Sequence, residues 1–590
     1  MRGKRGVLVT GLVILMTLWK GGQETTGQEK VAGDILRVAD VRPGMKGYGL
    51  SVFSGTKIEK FDVEVVSVLK KFYGDKDILL VRVGHPVTDH ANIISGMSGS
   101  PIYLDGRLAG ALSLGFTSFA KDPLAGVTPI EYMLADKNHP WEEEAFLRPL
   151  PQDIQHVRTP LFVSGLPPAA FKDLKEFSEP LGFSVVGGSA GQENLPQEIK
   201  LEPGAAVGVS LLRGDINLNG VGTVTHVSGN DVLAFGHAML MGGQIELPMT
   251  TAYVHTVIAS QEMSYKMASA IKPVGCFLKD RMTSIYGTLE KPASTIPFTV
   301  EVENAQTRFQ KTFRFELGRH PLYTPYLITQ VPDFCLELAE AGQMKDQTIH
   351  YTLKLKFEGM APLEIKDAYI SSPMGFQSRG FMETVFQLLG NPFRRVRLEG
   401  VEVKLSVVHR RSSATIDAVW LQSRKVKPGE SLTLTLRLRP YNKESFKETI
   451  EIPLPRTLPD GEYEIAVMGG RDAAGALDLQ GMMRALLAGR MPGVTGAQSF
   501  EELLQEIRRR HPSNRILARL ELPAMGVRTK NHRLENLPGS VFVNLVSTPS
   551  AGMKMEQDLL DVTRDTNWVI EGRKSVKFEM RTPGQVEPEK

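Results

Sequence analysis

A mainly β protein is predicted, and three features of the sequence carry the prediction. Apolar and polar positions alternate along Ile349-His350-Tyr351-Thr352-Leu353-Lys354-Leu355-Lys356-Phe357 and again along Ser431-Leu432-Thr433-Leu434-Thr435-Leu436-Arg437-Leu438. That period of two belongs to antiparallel strands with one wet face. Turn formers separate such runs, among them Lys427-Pro428-Gly429-Glu430 and Pro459-Asp460-Gly461-Glu462. Asp105-Gly106 lies between Ile102-Tyr103-Leu104 and Leu108-Ala109-Gly110-Ala111-Leu112, where a tight hairpin turn needs positive φ.

The elements follow in chain order. Arg2, Lys4 and Arg5 precede an apolar run from Val7 to Trp19. It suits a signal-peptide core and falls short of the ~20 residues of a spanning helix. Residues 1–29 are expected to direct export. With no small-x-small site near Lys20-Gly21-Gly22, cleavage and retention as a membrane anchor both stay open. Residues 30–140 carry the strand-like run Asp77–Val83 and then Gly96-Met97-Ser98-Gly99-Ser100-Pro101. Flanking glycines clear the space a nucleophilic serine needs and let neighbouring N–H groups, those of Gly96 and Ser98, converge on an oxyanion.

A serine hydroxyl needs a base. Of twelve histidines, His237 is the best placed, ending the apolar run Asp231–Phe235 after Gly236. Ahead of it Val221–Val227 alternates and Ser228-Gly229-Asn230-Asp231 turns, giving a second hairpin within residues 206–292. Between the two lies a proline-rich connector, 141–205, with one short helix, Ala169 to Glu176. Residues 293–480 read as one or two immunoglobulin-like sandwiches, a module for partner docking or a stabilising appendage. Residues 481–590 hold a helix, with Ser499-Phe500-Glu501-Glu502 as its capping box, then further strands and a loose tail from 582. Arg508, Arg509 and Arg510 end that helix, where they suit its dipole.

These residues resemble the SpoIVB-type serine peptidases, the sporulation signalling proteases. The likeness runs from Lys60-Phe61-Asp62-Val63-Glu64-Val65-Val66-Ser67 through the Ser98 turn to Pro129-Ile130-Glu131-Tyr132-Met133-Leu134. A second block runs from Gly220-Val221-Gly222-Thr223-Val224-Thr225 to Gly236-His237, and Ser284-Ile285-Tyr286-Gly287-Thr288-Leu289 closes it. The resemblance implies a chymotrypsin-like pair of β-barrels, Ser98 as nucleophile, His237 as base, and limited cleavage of a protein substrate, the chain itself included. It also implies a periplasmic, envelope or extracellular setting. Two departures stand out. The serine half precedes the histidine half, as in a circular permutation, which is tolerated where ancestral termini lie close together. The stretch matching the family's acid reads Val83-Gly84-His85-Pro86, with no aspartate. Asp89, Asp231 or no acid at all are the alternatives. A catalytically inactive envelope scaffold on the same fold is the rival reading.

Other chemistries find little footing. Lys+Arg is 69 and Asp+Glu 66, a net charge of +3, and no basic patch interleaved with aromatics speaks for nucleic acid. There is no H-E-x-x-H, Walker loop or strand-borne G-x-G-x-x-G, so neither cofactor nor metal is expected. His85 and His90 lack partners for a zinc site, and His255 lies on an alternating strand. The α/β-hydrolase elbow fails because a strand, not a helix, follows Ser98. Cys276 and Cys335 leave room for one disulfide.

Overall fold

The computed structural model describes residues 35–582 except 117–121, 139–153, 189–194, 197, 241, 305, 341–345, 372–378, 474–496, 529–532, 535–539 and 542–553. The segment expected to direct export, 1–29, and most of the expected C-terminal tail lie outside the described residues.

The first unit contains β1 (Lys46–Val52), β2 (Ile58–Tyr73), β3 (Lys76–Gly84), α1 (Pro86–Ala91), β4 (Pro101–Leu104), β5 (Arg107–Phe116) and β6 (Leu124–Pro129). Their order, β4-β1-β2-β3-β6-β5 with β4 pairing β5, closes a six-stranded barrel. Its core is mainly aliphatic, with Val63, Leu79, Val81, Ile102, Leu112 and Val127 packed beside Phe53 and Phe61. The predicted hairpin turn is there: Asp105 and Gly106 have φ of 49° and 75°. A helix, α2 (Ile130–Asn138), leaves the barrel.

The proline-rich stretch does more than connect. It supplies β7 (Ile154–His156) to the first sheet, then β8 (Thr159–Ser164), α3 (Pro168–Ser178) and β9 (Phe183–Gly187). β8 and β9 run parallel, as a strand–helix–strand crossover requires. The second barrel follows: β10 (Ala206–Gly214), β11 (Asn217–Ser228), β12 (Asp231–Ala234), β13 (Gly243–Ile258), β14 (Tyr265–Arg281) and β15 (Ser284–Thr288). The ring β10-β13-β14-β15-β12-β11 closes through the β10–β11 pairing. Two closed barrels of six strands are the chymotrypsin-like core expected.

Beyond residue 293 the chain is organised differently from the one or two immunoglobulin-like sandwiches expected over 293–480. β16 (Ile296–Asn304) and β17 (Phe309–Leu317) pair with each other, and β17 joins β10. α4 (Tyr323–Glu340), β18 (Thr348–Phe357), β19 (Leu363–Ile370), α5 (Arg379–Leu389) and β20 (Leu398–Val408) complete a thirteen-stranded sheet continuous with the second barrel. Leu327, Val331 and Phe334 of α4 and Phe381 of α5 cover its apolar face, one core with the barrel. The alternating strand 349–357 thus turns its apolar side to helices. The sandwich itself is built from 413–580. Ser431–Pro440 lies between Phe446–Pro453 and Ser413–Leu421, and Leu432, Leu434, Leu436 and Leu438 face Ile465, Val467 and Ile516 of the second sheet. Helix Phe500–Arg508 starts at Ser499, whose hydroxyl accepts from Glu502 N–H, and buries Phe500, Leu503, Leu504 and Ile507. Cys276 and Cys335 are buried and free, on β14 and α4, so they form no disulfide.

Candidate active site at the junction of the barrels

The serine turn leaves α1 and enters β4. Within it Met97 N–H donates to Ile94 O at 3.0 Å and Ser100 N–H to Met97 O at 2.9 Å. Gly96 and Gly99 have φ of 97° and 95°, a region glycine enters without strain. A Cβ on Gly99 would stand 2.0 Å from Thr223 O.

The turn hangs on the second barrel. Strand β11 takes hold of three of its carbonyls: Thr223 Oγ1 donates to Gly96 O (2.9 Å), Thr223 N–H to Ser98 O (2.9 Å) and Thr225 Oγ1 to Gly99 O (2.7 Å). Ser98 is 0 % exposed, and its Oγ makes no hydrogen bond among the described residues. No acceptor among them takes the N–H of Gly96 or Ser98. These are the two donors expected to face an oxyanion.

The histidine segment meets the same place. Phe235 and Gly236 both have φ of 68°, and the turn drives Gly236 against Ala111 and Leu112 of β5. Leu112 O also accepts Gly99 N–H at 2.8 Å, so one residue of the first barrel touches both segments. His237 is 3 % exposed, with Nδ1 2.6 Å from Ala238 O. A carbonyl only accepts, so Nδ1 carries the proton and Nε2 is the basic nitrogen of the neutral ring. Burial holds the His237 pKa below its ordinary value, opposed by the backbone of Ala238 and Val157 and by the Asp280 carboxylate. A neutral imidazole at neutral pH is the form a general base needs.

The candidate acids divide. Asp89 is exposed on α1, where Oδ1 accepts from His85 N–H at 3.4 Å. Asp231 pairs with Lys137 and accepts from Tyr286 OH at 2.6 Å, tying the hairpin to α2. The carboxylate that acts on His237 is Asp280, 1 % exposed, which sequence reasoning passed over. It accepts N–H from Met239 (2.7 Å), Leu240 (2.8 Å) and Gly242 (3.1 Å), holding the chain just after His237. Also missed was Lys266, at 0 % exposure, whose Nζ lies 2.9 Å from Ser51 Oγ. One signal was available: Lys266 shares the inward phase of its strand with Ser264, Ala268 and Ala270, all buried.

Among the described residues no three His, Cys, Asp or Glu side chains cluster as metal ligands. His85 Nδ1 accepts from Val87 N–H and its ring stacks on Phe53. His255 bonds Ser269. A cleft of about 490 Å³ opens beside the serine turn, lined by Ser95, Val157, Val185, Met263 and Tyr265. A larger one, about 840 Å³, lies between β19 and the sandwich, where Arg519 pairs with Asp561 and Arg510 with Glu383.

Residues 21–134 match the family model described as SpoIVB peptidase S55. The match takes in the first barrel and the serine turn, so this part of the chain is similar to a SpoIVB-type peptidase domain, a family whose activity implies a protein substrate. No curated protein matches the chain.

Proposed function

We propose that the protein is an exported serine endopeptidase of the SpoIVB type, with Ser98 as nucleophile and His237 as general base. One observation carries the reading: Thr223 and Thr225 suspend the serine turn from the strand whose hairpin partner runs into Gly236-His237. In the reaction Ser98 Oγ attacks the scissile carbonyl and its proton passes to His237 Nε2. The tetrahedral oxyanion draws on the N–H groups of Gly96 and Ser98. Collapse breaks the C–N bond, and the imidazolium returns its proton to the leaving amine. Water, deprotonated by the same ring, then hydrolyses the acyl-enzyme. Asp280 takes the place left by the missing family acid, working through the backbone it holds and its charge near the ring. Substrates are extended protein segments, this chain's own among them, entering by the cleft at Ser95. Residues 1–29 direct export to the periplasm or envelope. The reversed order of the halves fits a circular permutation, since each barrel closes within its own stretch of chain.

A second reading, a non-catalytic envelope scaffold whose sandwich docks a partner, is favoured by one specific fact. Ser98 Oγ is buried and makes no hydrogen bond to His237. One experiment separates the two. A fluorophosphonate probe is expected to label the wild type at Ser98 and to leave a folded Ser98→Ala variant unlabelled. A wild type that takes no label, with cleavage absent, establishes the scaffold.

A further inference from the structure

Lys266 sits beside the serine turn, and the reaction above makes no use of it. The start of β14 sets it there by backbone pairing: Lys266 N–H donates to Ser95 O (3.0 Å) and Ser95 N–H to Ser264 O (2.8 Å). Its stem lies over Gly96, where an added Cβ would stand 3.2 Å from Lys266 Cδ. At its tip Nζ donates to Ser51 Oγ at 2.9 Å and Thr223 Oγ1 at 3.3 Å. Thr223 Oγ1 in turn holds Gly96 O, and Ser51 Oγ accepts from Ser100 Oγ at 3.1 Å. One amine therefore reaches, through two hydroxyls, the residues two before and two after Ser98.

Its surroundings say more. Ser51 of β1, Thr223 of β11 and the turn itself face the amine with hydroxyls and carbonyls. Burial alone pulls its pKa from 10.5 to about 7, with no charged group contributing. A lysine kept merely to fill space is poorly explained, since an apolar side chain fills it without desolvating an amine.

We infer that Lys266 is the positioning residue of the serine turn, its amine clamping Ser51 and Thr223 so that Gly96, Ser98 and Ser100 keep the geometry attack requires. An ammonium has three N–H groups to donate, whereas a neutral amine has two and a lone pair that accepts. Serine reactivity should therefore change across the range in which the amine titrates. The catalytic consequence rests on the Ser98 reading; the clamp does not.

Two readouts on the full chain test this. Hydrogen exchange of the segment 92–101 reads the clamp, and the pH profile of fluorophosphonate labelling reads its effect on Ser98. Lys266→Met, which keeps an apolar stem, is expected to speed exchange in 92–101 at least tenfold and to abolish the labelling inflection near pH 7 while leaving the lower limb that belongs to His237. Thr223→Val should speed exchange while keeping that inflection. Exchange within twofold of wild type in Lys266→Met, or an inflection near pH 7 that survives it, overturns the inference. If Lys266→Met unfolds globally, seen as lost protection in Thr348–Phe357, the Ser51→Ala/Thr223→Val double variant strips the amine of both partners. Exchange in 92–101 faster than in Thr223→Val alone then supports the clamp, and exchange equal to that single variant refutes it. A wild type that takes no label removes the nucleophile reading alone, and exchange still decides the clamp.

Discussion

At Gly99 an added Cβ would stand 2.0 Å from Thr223 O and 2.5 Å from Phe235 N, on a backbone with φ of 95°. Both atoms belong to the main chain of the second barrel and cannot swing aside. Gly99→Ala should therefore lose about 3 kcal/mol or more, as backbone strain adds to overpacking. Urea unfolding measures it, and Ser98 labelling should fall with it. Lys266 makes a different prediction, one of pH. Its folded pKa, about 7, lies below the ordinary 10.5. Between those values the unfolded chain binds more protons, so stability rises with pH, by up to about 1.4 kcal/mol per unit. Below the lower value the penalty is constant, and above the upper it is gone. Urea midpoints at pH 7.5 and 9.5 should show wild type gaining on Lys266→Met; parallel curves would mean that the amine titrates normally. The serine turn was legible in the sequence because its glycines answer a local demand of backbone and space. Lys266 and Asp280 were not, because a buried charge is defined by what faces it across the sheet.

Strand β14 serves both loops, with Lys266 near its start under the serine turn and Asp280 near its end under the histidine segment. Register shifts between Phe277 and Lys279 re-aim its last residues toward Met239–Gly242. Asp280→Asn keeps the shape and removes the charge. Weaker bonds to three N–H groups should cost about 1–3 kcal/mol. Asp280 is also a charge that raises the His237 pKa against burial. Without it that pKa falls further, and the acid limb of Ser98 labelling should move to lower pH. A limb that stays in place would show that Asp280 is purely structural. Legibility at this scale was uneven, for a physical reason. Alternation and turn residues announce strands such as 349–357 and 431–438, and Ser499 announces its helix. Nothing local tells β17 to join β10 or β16 to run parallel to β20. The edge a strand joins depends on surfaces supplied about a hundred residues away.

Across the whole molecule, two large cores lie beyond that of the first barrel. The larger joins the second barrel to strands 296–408 and their helices, and the other fills the sandwich of 413–580. Helix Phe500–Arg508 crosses between them: it belongs by sequence to the sandwich stretch, yet Phe500, Leu503, Leu504 and Ile507 lie in the larger core. Arg394 stacks on Phe500 at 4.3 Å, and Arg510 reaches Thr384 at 3.0 Å and Glu383 at 3.2 Å on α5. The sandwich is thus moored by an amphipathic helix remote in the chain from the serine turn, with Ser513 bonding Asp367 of β19 beside it. Phe500→Ala empties a buried aromatic site and should cost about 3–5 kcal/mol of that mooring. Limited proteolysis should then cut near the helix far faster than in wild type, while Ser98 labelling changes less than twofold. Labelling that falls in step with the mooring would instead make the sandwich a working part of the active site.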